Sequence, residues 1–451
     1  MPVLTSPAAV VGAGFSGSLI AAHLAARGVE VTIFEGSNRA GRGLAYSATL
    51  CAHRLNVRAG AMSAFPQEPD QFANYWAARG GDPHEFASRS VYGDYLGSIL
   101  GDALATGRVR LVQANVRSAE QSDEGWVLQA DDGTRVHAQH AVLATGNEPS
   151  KPPAWAAACA SQVVSDPWGG EAEAAIAKAA ATNADVLMIG TGLTMIDMVL
   201  ALDEAGHGGI VWALSRRGLM PRPHAAFEAA PVSREKIPTG SLARLWRWTR
   251  ERSERVGWRA AVDSLRPHSQ ALWQEMPLAD QSRFLRHARP FWDVHRHRIP
   301  PQISDRLEQL KEEGRLRIIS GRIRTAFQQE ERCRIEIQLR RPAGKRLLLP
   351  RIGSVFNCTG PLPRLVETQS PLLRQLLRDG YIRPDMLGLG AEVDRNGRVS
   401  TARGLWCLGA LTRGKLWEIT AVPDIRNQAL AVAEMIAGEI GNRNSLSPEI
   451  R

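Results

Sequence analysis

Four small apolar residues, Ala8–Val11, run directly into the glycine-rich stretch GAGFSG and then into a mostly apolar run, Leu19–Ala26. A short apolar run bounded by glycine predicts a buried strand, and the longer run after it a buried helix. Another apolar run, Val31–Phe34, ends on Glu35, so residues 1–43 are predicted to form a βαβ unit. The pattern recurs later: Val186–Ile189 precedes GTGLTM, and Ile210–Leu214 ends on Ser215-Arg216-Arg217. Between the two units a helix is predicted around Tyr92–Ala105. Short alternating strands follow near Val109–Ala119, Trp126–Ala130 and Thr134–His137. A strand at Ala141–Ala144 turns sharply at Thr145 and Gly146, and a proline-rich break closes the segment at Pro149–Pro153.

Downstream, residues from about Ser241 to Glu313 read as helical, and strands return at Leu316–Ile319, Arg332–Leu339 and Leu347–Leu349. The strand Ser354–Asn357, ending on Cys358-Thr359-Gly360, is expected to carry the chain back into the first unit. LWCLGALTRG then supplies a strand and a glycine turn, and Ile425–Gly438 a last helix. The expected fold is α/β, with two Rossmann-like dinucleotide-binding domains and a helical insertion. Residues 1–150 form the first part of one domain and 351–441 its second part. Residues 160–350 form the other domain, with the insertion at about 241–313, and 442–451 are a polar tail.

The two glycine loops carry the candidate chemistry. Gly12, Gly14 and Gly17 occupy the GxGxxG positions, and Glu35 follows Gly12 by 23 positions, near the ~20 expected of a ribose-binding acid. A carboxylate accepts from ribose hydroxyls and repels a 2′-phosphate, whereas paired arginines attract that phosphate. The first loop is therefore expected to hold FAD. The second, with Gly190, Gly192 and Thr194 and the reader Arg216-Arg217, is expected to hold NADPH. Met195 stands at its third glycine position, a departure expected to hold helix and strand slightly apart.

Length and composition fit two to three globular domains. The formal charge of +9 favours acidic ligands such as dinucleotide phosphates, an anionic substrate or nucleic acid. Arg and Trp interleave in SLARLWRWTRERSERVGW, yet Leu242, Leu245, Trp246 and Thr249 share one helix face. A solvated arginine face explains the remainder, and no nucleic-acid partner is expected. Five scattered cysteines without CxxC spacing argue against a disulfide framework or a zinc site and for a reducing cytoplasm. No apolar run approaches about 18 residues, so neither signal peptide nor membrane span is expected.

GAGFSG, Glu35, Arg39–Ser47, Ala144–Gly146, GTGLT and LGALTRG together resemble bacterial FAD/NAD(P)-binding proteins related to the class B flavoprotein monooxygenases, including amine N-hydroxylases. The resemblance implies that Gly12, Gly14, Gly17 and Arg42 approach the FAD pyrophosphate and that Thr145 and Gly146 belong to the same site. It also implies that the turn at Gly409 lies near the ribityl chain and that the last helix begins near the flavin pyrimidine. Many relatives carry an aspartate where this chain has Ala410, so ribityl contacts fall to backbone or to Thr412. Cys51 lacks the partner that disulfide reductases need, and the linker after Ser150 lacks the stretch typical of Baeyer–Villiger enzymes.

The activity implied is FAD- and NADPH-dependent monooxygenation of a small polar nucleophile at nitrogen, an amine or hydroxylamine, through a flavin C4a-peroxide formed from molecular oxygen. Two alternatives remain open: an NAD(P)H-dependent flavin oxidoreductase without oxygen insertion, and a redox-sensing flavoprotein. In relatives the region of Arg54–Phe65 wraps the isoalloxazine, which makes Asn56, Arg58 and Ser63 candidates for flavin or substrate contact; a surface loop is the other reading. In PFWDVHRHRIPP, His295 is a candidate for the cleft, with Trp292 packed; the HRH spacing is wrong for a zinc pair. The basic helical stretch points to a carboxylate-bearing small molecule, with Arg289 and Arg296 as candidate contacts.

Overall fold

The computed structural model describes residues 3–47 and 53–445, with side chains to Asn442; Cys51 and residues 446–451 lie outside the described residues. The first domain opens with β1 (Val3–Val11), α1 (Phe15–Ala26), β2 (Val31–Phe34), α2 (Gln71–Ala77), α3 (Arg89–Ala105) and β3 (Val109–Val112). It continues through β4 (Val116–Ser122), β5 (Gly125–Ala130) and β6 (Arg135–Leu143). The second domain contains β7 (Val163–Val164), α4 (Gly170–Thr182), β8 (Asp185–Ile189), α5 (Leu193–Glu204) and β9 (Val211–Ser215). A helical insertion follows: α6 (Leu242–Val256), α7 (Trp258–Leu265), α8 (Ser269–Glu275), α9 (Leu278–Arg283) and α10 (Arg289–Arg296), with a π-helical turn at Phe284–Ala288. α11 (Pro301–Glu312), β10 (Leu316–Gln329), β11 (Arg332–Leu339) and β12 (Arg346–Asn357) complete that domain. The chain returns to the first domain with α12 (Pro371–Arg378), β13 (Leu405–Cys407) and α13 (Val422–Ser445).

The first sheet has the order β3-β2-β1-β6-β5-β4, with β13 also paired to β6. The second runs β11-β10-β9-β8-β12-β7, with β11 also paired to β12. Helices cover the parallel strands, which explains why Ala8, Ala9 and Val10 are fully buried on both faces. α1 packs between β1 and α13, and nine of its twelve residues are buried.

Several sequence expectations change in detail. The strand expected at Val109–Ala119 is two strands, with β3 joining the parallel edge beside β2 and β4 turning into the antiparallel crossover. The segments Thr134–His137 and Ala141–Ala144 fuse into the single strand β6. Ser354–Asn357 does not re-enter the first domain: it is the end of β12, parallel to β8 and β7 in the second sheet. An apolar strand buried on both faces suits either sheet, so its sequence does not name its neighbour.

Candidate dinucleotide sites and the cleft between them

Register brings the predicted residues to the carboxyl edges of the two sheets. Val11 pairs with Phe34 and Leu143, and Cys407 also pairs with Leu143. Gly12, Glu35, Ala144–Gly146 and Gly409 therefore share one edge, at the point where strand order reverses. In the second sheet Ile189 pairs with Leu214 and Asn357, which aligns Gly190, Arg216 and Cys358–Gly360 in the same way.

Each glycine has a separate cause. Gly12 has φ +98°, and a Cβ there would stand 2.5 Å from the Ala144 carbonyl oxygen; Gly190 has φ +114°, and its Cβ would stand 2.2 Å from that of Cys358. A Cβ on Gly17 would meet the Gly12 oxygen at 1.8 Å, so helix and strand touch there. Gly14 and Gly192 differ. Their φ values are −75° and −88°. A Cβ on Gly14 meets only Gly43 Cα at 3.4 Å, and one on Gly192 meets nothing within 4 Å. These two glycines cap α1 and α5 without a side-chain cap. The first-turn amides are thus left open to an outside acceptor over a surface no Cβ obstructs, which fits a bound pyrophosphate. Met195 lies fully buried in the second core.

Glu35 sits beside the first loop. Its Oε2 accepts from Ala13 N at 3.0 Å and its Oε1 from Ser37 N and Oγ, which leaves a lone pair on Oε2 for a ribose hydroxyl. Beside the second loop the charge is reversed. Ser320 pairs with Ser215, and Arg340 N donates to Ser320 O. Arg322 and Arg340 thereby come to the side of Arg216 and Arg217, and the π-turn of the insertion adds Arg286 and His287. Together they line a cavity of about 570 Å³. None of these five arginines forms an ion pair among the described residues, and Arg217 rests over Phe291 with Cζ 5.5 Å from the ring. Sequence reasoning found Arg216 and Arg217 but missed the other three, because only strand register and the insertion's path join them.

A buried seam fastens the two dinucleotide domains. Gly41 N donates to Ala13 O, and Arg39 reaches the Trp168 carbonyl at 3.1 Å. His53 Nε2 lies 3.0 Å from Asp197 O, and Arg89 pairs with the Asp197 carboxylate at 2.9 Å while lying over Trp168. Burial raises the Asp197 pKa, and Arg89 opposes the rise. The seam thus ties the segments beside the first glycine loop to α5, the helix that follows the second.

The insertion roofs that cleft at the start of α13. Trp273 Nε1 donates to Gly414 O at 2.8 Å, and its ring stacks on Trp417 at 4.7 Å. Glu418, at φ +63°, accepts from Trp292 Nε1 at 2.6 Å and pairs with Arg296 at 3.2 Å. Gln270 donates to Asp424, whose carboxyl burial pushes upward in pKa. Arg289 is paired with Asp293. The two arginines expected to meet substrate are therefore already matched to carboxylates.

Three further candidates have partners within the protein. Ser63 is fully buried, and its hydroxyl donates to the carbonyls of Phe65 and Glu68, closing a turn whose Ser63 carbonyl accepts from Arg426 of α13. Thr412 is likewise fully buried, donating to Gly409 O at 2.9 Å and accepting from Gln428; backbone is left to meet a ribityl chain. Arg42 pairs with Asp94 on α3 at the surface, next to Gly43, which lies against Gly14. Thr145 is half-buried beside Gly146, which has φ +71°, and Thr194 is half-buried in the first turn of α5. Asn56 accepts from His224 through its backbone oxygen, Arg58 lies over Phe86, and His295 packs edge-on against Trp258 at 4.9 Å. No group of His, Cys, Asp and Glu suited to a metal occurs among the described residues, and no helix among them is long and apolar enough to cross a membrane.

Paired Rossmann-like domains joined at one cleft define a two-dinucleotide-binding α/β protein. Residues 9–148 match the profile of a family described as FAD-NAD(P)-binding. Among solved structures, the ornithine N-hydroxylase of Kutzneria sp. 744, with reduced FAD, NADP⁺ and L-ornithine, aligns with TM-score 0.67 at 14% identity over 97% of this chain and 100% of that one. The L-lysine 6-monooxygenase of Pseudomonas syringae aligns at 0.66 and 18%, over 96% and 100%. The thioredoxin reductase of Lactococcus lactis aligns at 0.57 and 13%, over 96% and 99%. At these identities the likeness is one of fold. No curated protein sequence matches significantly.

Proposed function

We propose that the protein is an FAD- and NADPH-dependent monooxygenase that inserts one oxygen atom of O₂ at the nitrogen of a small amine. The observation that carries this reading is a pair of glycine loops at the carboxyl edges of two sheets, the first beside Glu35 and the second in register with a cavity of unpaired arginines. The chemistry FAD supplies when bound is transfer of the two electrons of NADPH to oxygen; the second oxygen atom leaves as water. The chain's own residues seat and shield. Gly14 and Gly192 open the helix N-termini to the two pyrophosphates. Glu35 accepts from the FAD ribose, and the arginine cavity selects the 2′-phosphate. Trp273, Trp417 and the Glu418–Arg296 pair hold the roof closed against water.

A disulfide-reductase reading finds less support. The four cysteines among the described residues are all buried, and burial raises the thiols of Cys333, Cys358 and Cys407, so these three are not poised as thiolates. The test is oxidation of NADPH by the FAD-loaded protein with amines under ¹⁸O₂. Labelled hydroxylamine product supports oxygenation. NADPH oxidation without label in any product transfers the assignment to a dehydrogenase, and negligible turnover with a redox-dependent partner to a sensor.

A further inference from the structure

α6 and the segment from α9 to α10 face each other across a groove of about 760 Å³. Its apolar lining includes Trp246 and Phe291, whose rings meet edge-on at 6.3 Å. Phe291 is 39% exposed, which leaves a large apolar ring open at the surface. None of the fifteen residues of α6 is buried against the described residues. A helix of this length draws most of its stability from a covered face, and the inner side of α6, through Leu245 and Trp248, only partly supplies one.

The charges along the groove are ordered. α6 presents Arg247 and Arg250, followed by Glu251 and Glu254, all four exposed and on one stripe of the helix. None of the four forms an ion pair among the described residues, although Arg247 and Glu251, like Arg250 and Glu254, stand at the spacing that closes pairs within a helix. On the opposite wall the guanidinium is matched: Arg283 pairs with Asp280, which also accepts from Leu242 N. The order on α6 is the reverse of what a lone helix favours, since its dipole prefers acids at the amino end and bases at the carboxyl end. A neighbouring helix of opposite direction offsets that cost.

We infer that the groove is covered by a second copy of the chain, its α6 running antiparallel to this one about a two-fold axis. An axis between Arg250 and Glu251 sets Arg250 against the partner's Glu251 and Arg247 against the partner's Glu254. Symmetry repeats both contacts, so four ion pairs form and the interface closes at two copies. No other antiparallel register matches all four charges of the stripe, and a parallel pairing sets like charges together. The partner helix also covers Trp246 and Phe291. That burial supplies most of the affinity, because exposed ion pairs are individually weak, whereas the pairs fix direction and register. His287 lines both the groove and the arginine cavity, so the partner helix lies against one wall of that cavity.

The test is sedimentation equilibrium of the FAD-loaded full chain from nanomolar to hundred-micromolar protein, where a monomer–dimer equilibrium is expected. Arg247→Glu with Arg250→Glu makes the stripe wholly acidic, and Glu251→Arg with Glu254→Arg makes it wholly basic. Each double variant should weaken self-association at least about hundredfold, because four like-charge contacts replace four opposite ones. All four positions are exposed, so fold and FAD content should be unchanged. Mixed in equal amounts, the acidic and basic variants should pair with one another about as tightly as the original chain pairs with itself. A chain that stays monomeric throughout the range overturns the inference and leaves the groove to a small ligand or another protein. A dimer that neither reversal disturbs puts the interface elsewhere and overturns it too, as do two monomeric variants that fail to pair on mixing. Turnover enters none of these measurements, so their outcome is independent of the oxygenase assignment.

Discussion

Arg217→Ala should weaken NADPH while leaving NADH nearly untouched, because only the former presents a 2′-phosphate to the cavity beside β9. A charge-assisted hydrogen bond is worth about 1.5–3 kcal/mol. Two features of the cavity favour the lower end. Arg217 is half-buried against Phe291, so water competes for its donors, and Arg216, Arg286, Arg322 and Arg340 remain to hold the phosphate. The loss should therefore be about 1.5 kcal/mol, close to tenfold in kcat/KM. Arg216→Ala with Arg217→Ala should approach about hundredfold, although neighbouring guanidiniums need not add. Arg286→Ala is the stricter trial, because that residue belongs to the insertion and was invisible to motif reading. It too should affect NADPH alone. Steady-state kcat/KM for both coenzymes, measured at low and high salt, gives the readout; the NADPH advantage should shrink with ionic strength. Equal losses for NADPH and NADH in the three variants would refute the assignment of this cavity to the 2′-phosphate.

Gly192→Val should leave the fold and FAD content intact, since nothing lies within 4 Å of a Cβ there, yet abolish saturable NADPH binding; unaltered coenzyme binding would show that the α5 terminus faces no phosphate. Asp197→Ala removes the partner of a buried guanidinium at the domain seam and should cost about 3–5 kcal/mol in denaturant unfolding, whereas a loss under about 1 kcal/mol would mean the seam is held by packing. His23 is buried in α1 with Nε2 unpartnered, and its pKa is pushed down to about 4, chiefly by burial and then by Arg27. Its contribution is present above the unfolded value of about 6.5 and is lost as pH falls toward 4, because the unfolded chain takes the proton first, at a cost near 2 kcal/mol by pH 5. His23→Leu should flatten that part of the stability–pH curve, and an unchanged slope would place the acid sensitivity elsewhere.

The glycine loops and their readers were legible because each depends on local geometry. A strand that must turn over a neighbouring carbonyl requires glycine at Gly12 and Gly190, and a carboxylate or a guanidinium at the end of the next strand then falls beside the loop by register. Strand ownership was less legible. In β6 the polar stretch His137–His140 interrupts the apolar pattern, and in β12 Pro350 and Arg351 do the same. Pairing with β1 carries β6 through those positions, since backbone hydrogen bonding is indifferent to side-chain polarity as long as one face remains buried; β12 instead crosses Pro350 and Arg351 through a register shift against β11 and takes up β8 from Ile352. Reading those strands as broken pieces is what sent Ser354–Asn357 to the wrong sheet.

The arginines show the limit of sequence reading most clearly. Arg289 and Arg296 stand in a basic, histidine-rich stretch and look available, but folding matches them to Asp293 and Glu418. Arg222 and Arg259 stand far apart in sequence and in unremarkable company, yet folding leaves them near each other and without an ion pair among the described residues. Net charge records neither outcome, because the number of free cations depends on which carboxylates the fold brings within reach. Glu418 illustrates the point: an acid after a glycine turn has no sequence signature, and only its buried hold on Trp292 and Arg296 gives it a place. The insertion thus acts on the cleft in two ways from one set of helices. Its matched charges join it to the segment before α13, and its unmatched Arg286 lines the arginine cavity beside β9. A helical segment that only covered apolar surface would need no unpaired guanidinium there. That distribution, more than the total of +9, decides which guanidiniums are left for an anion to meet.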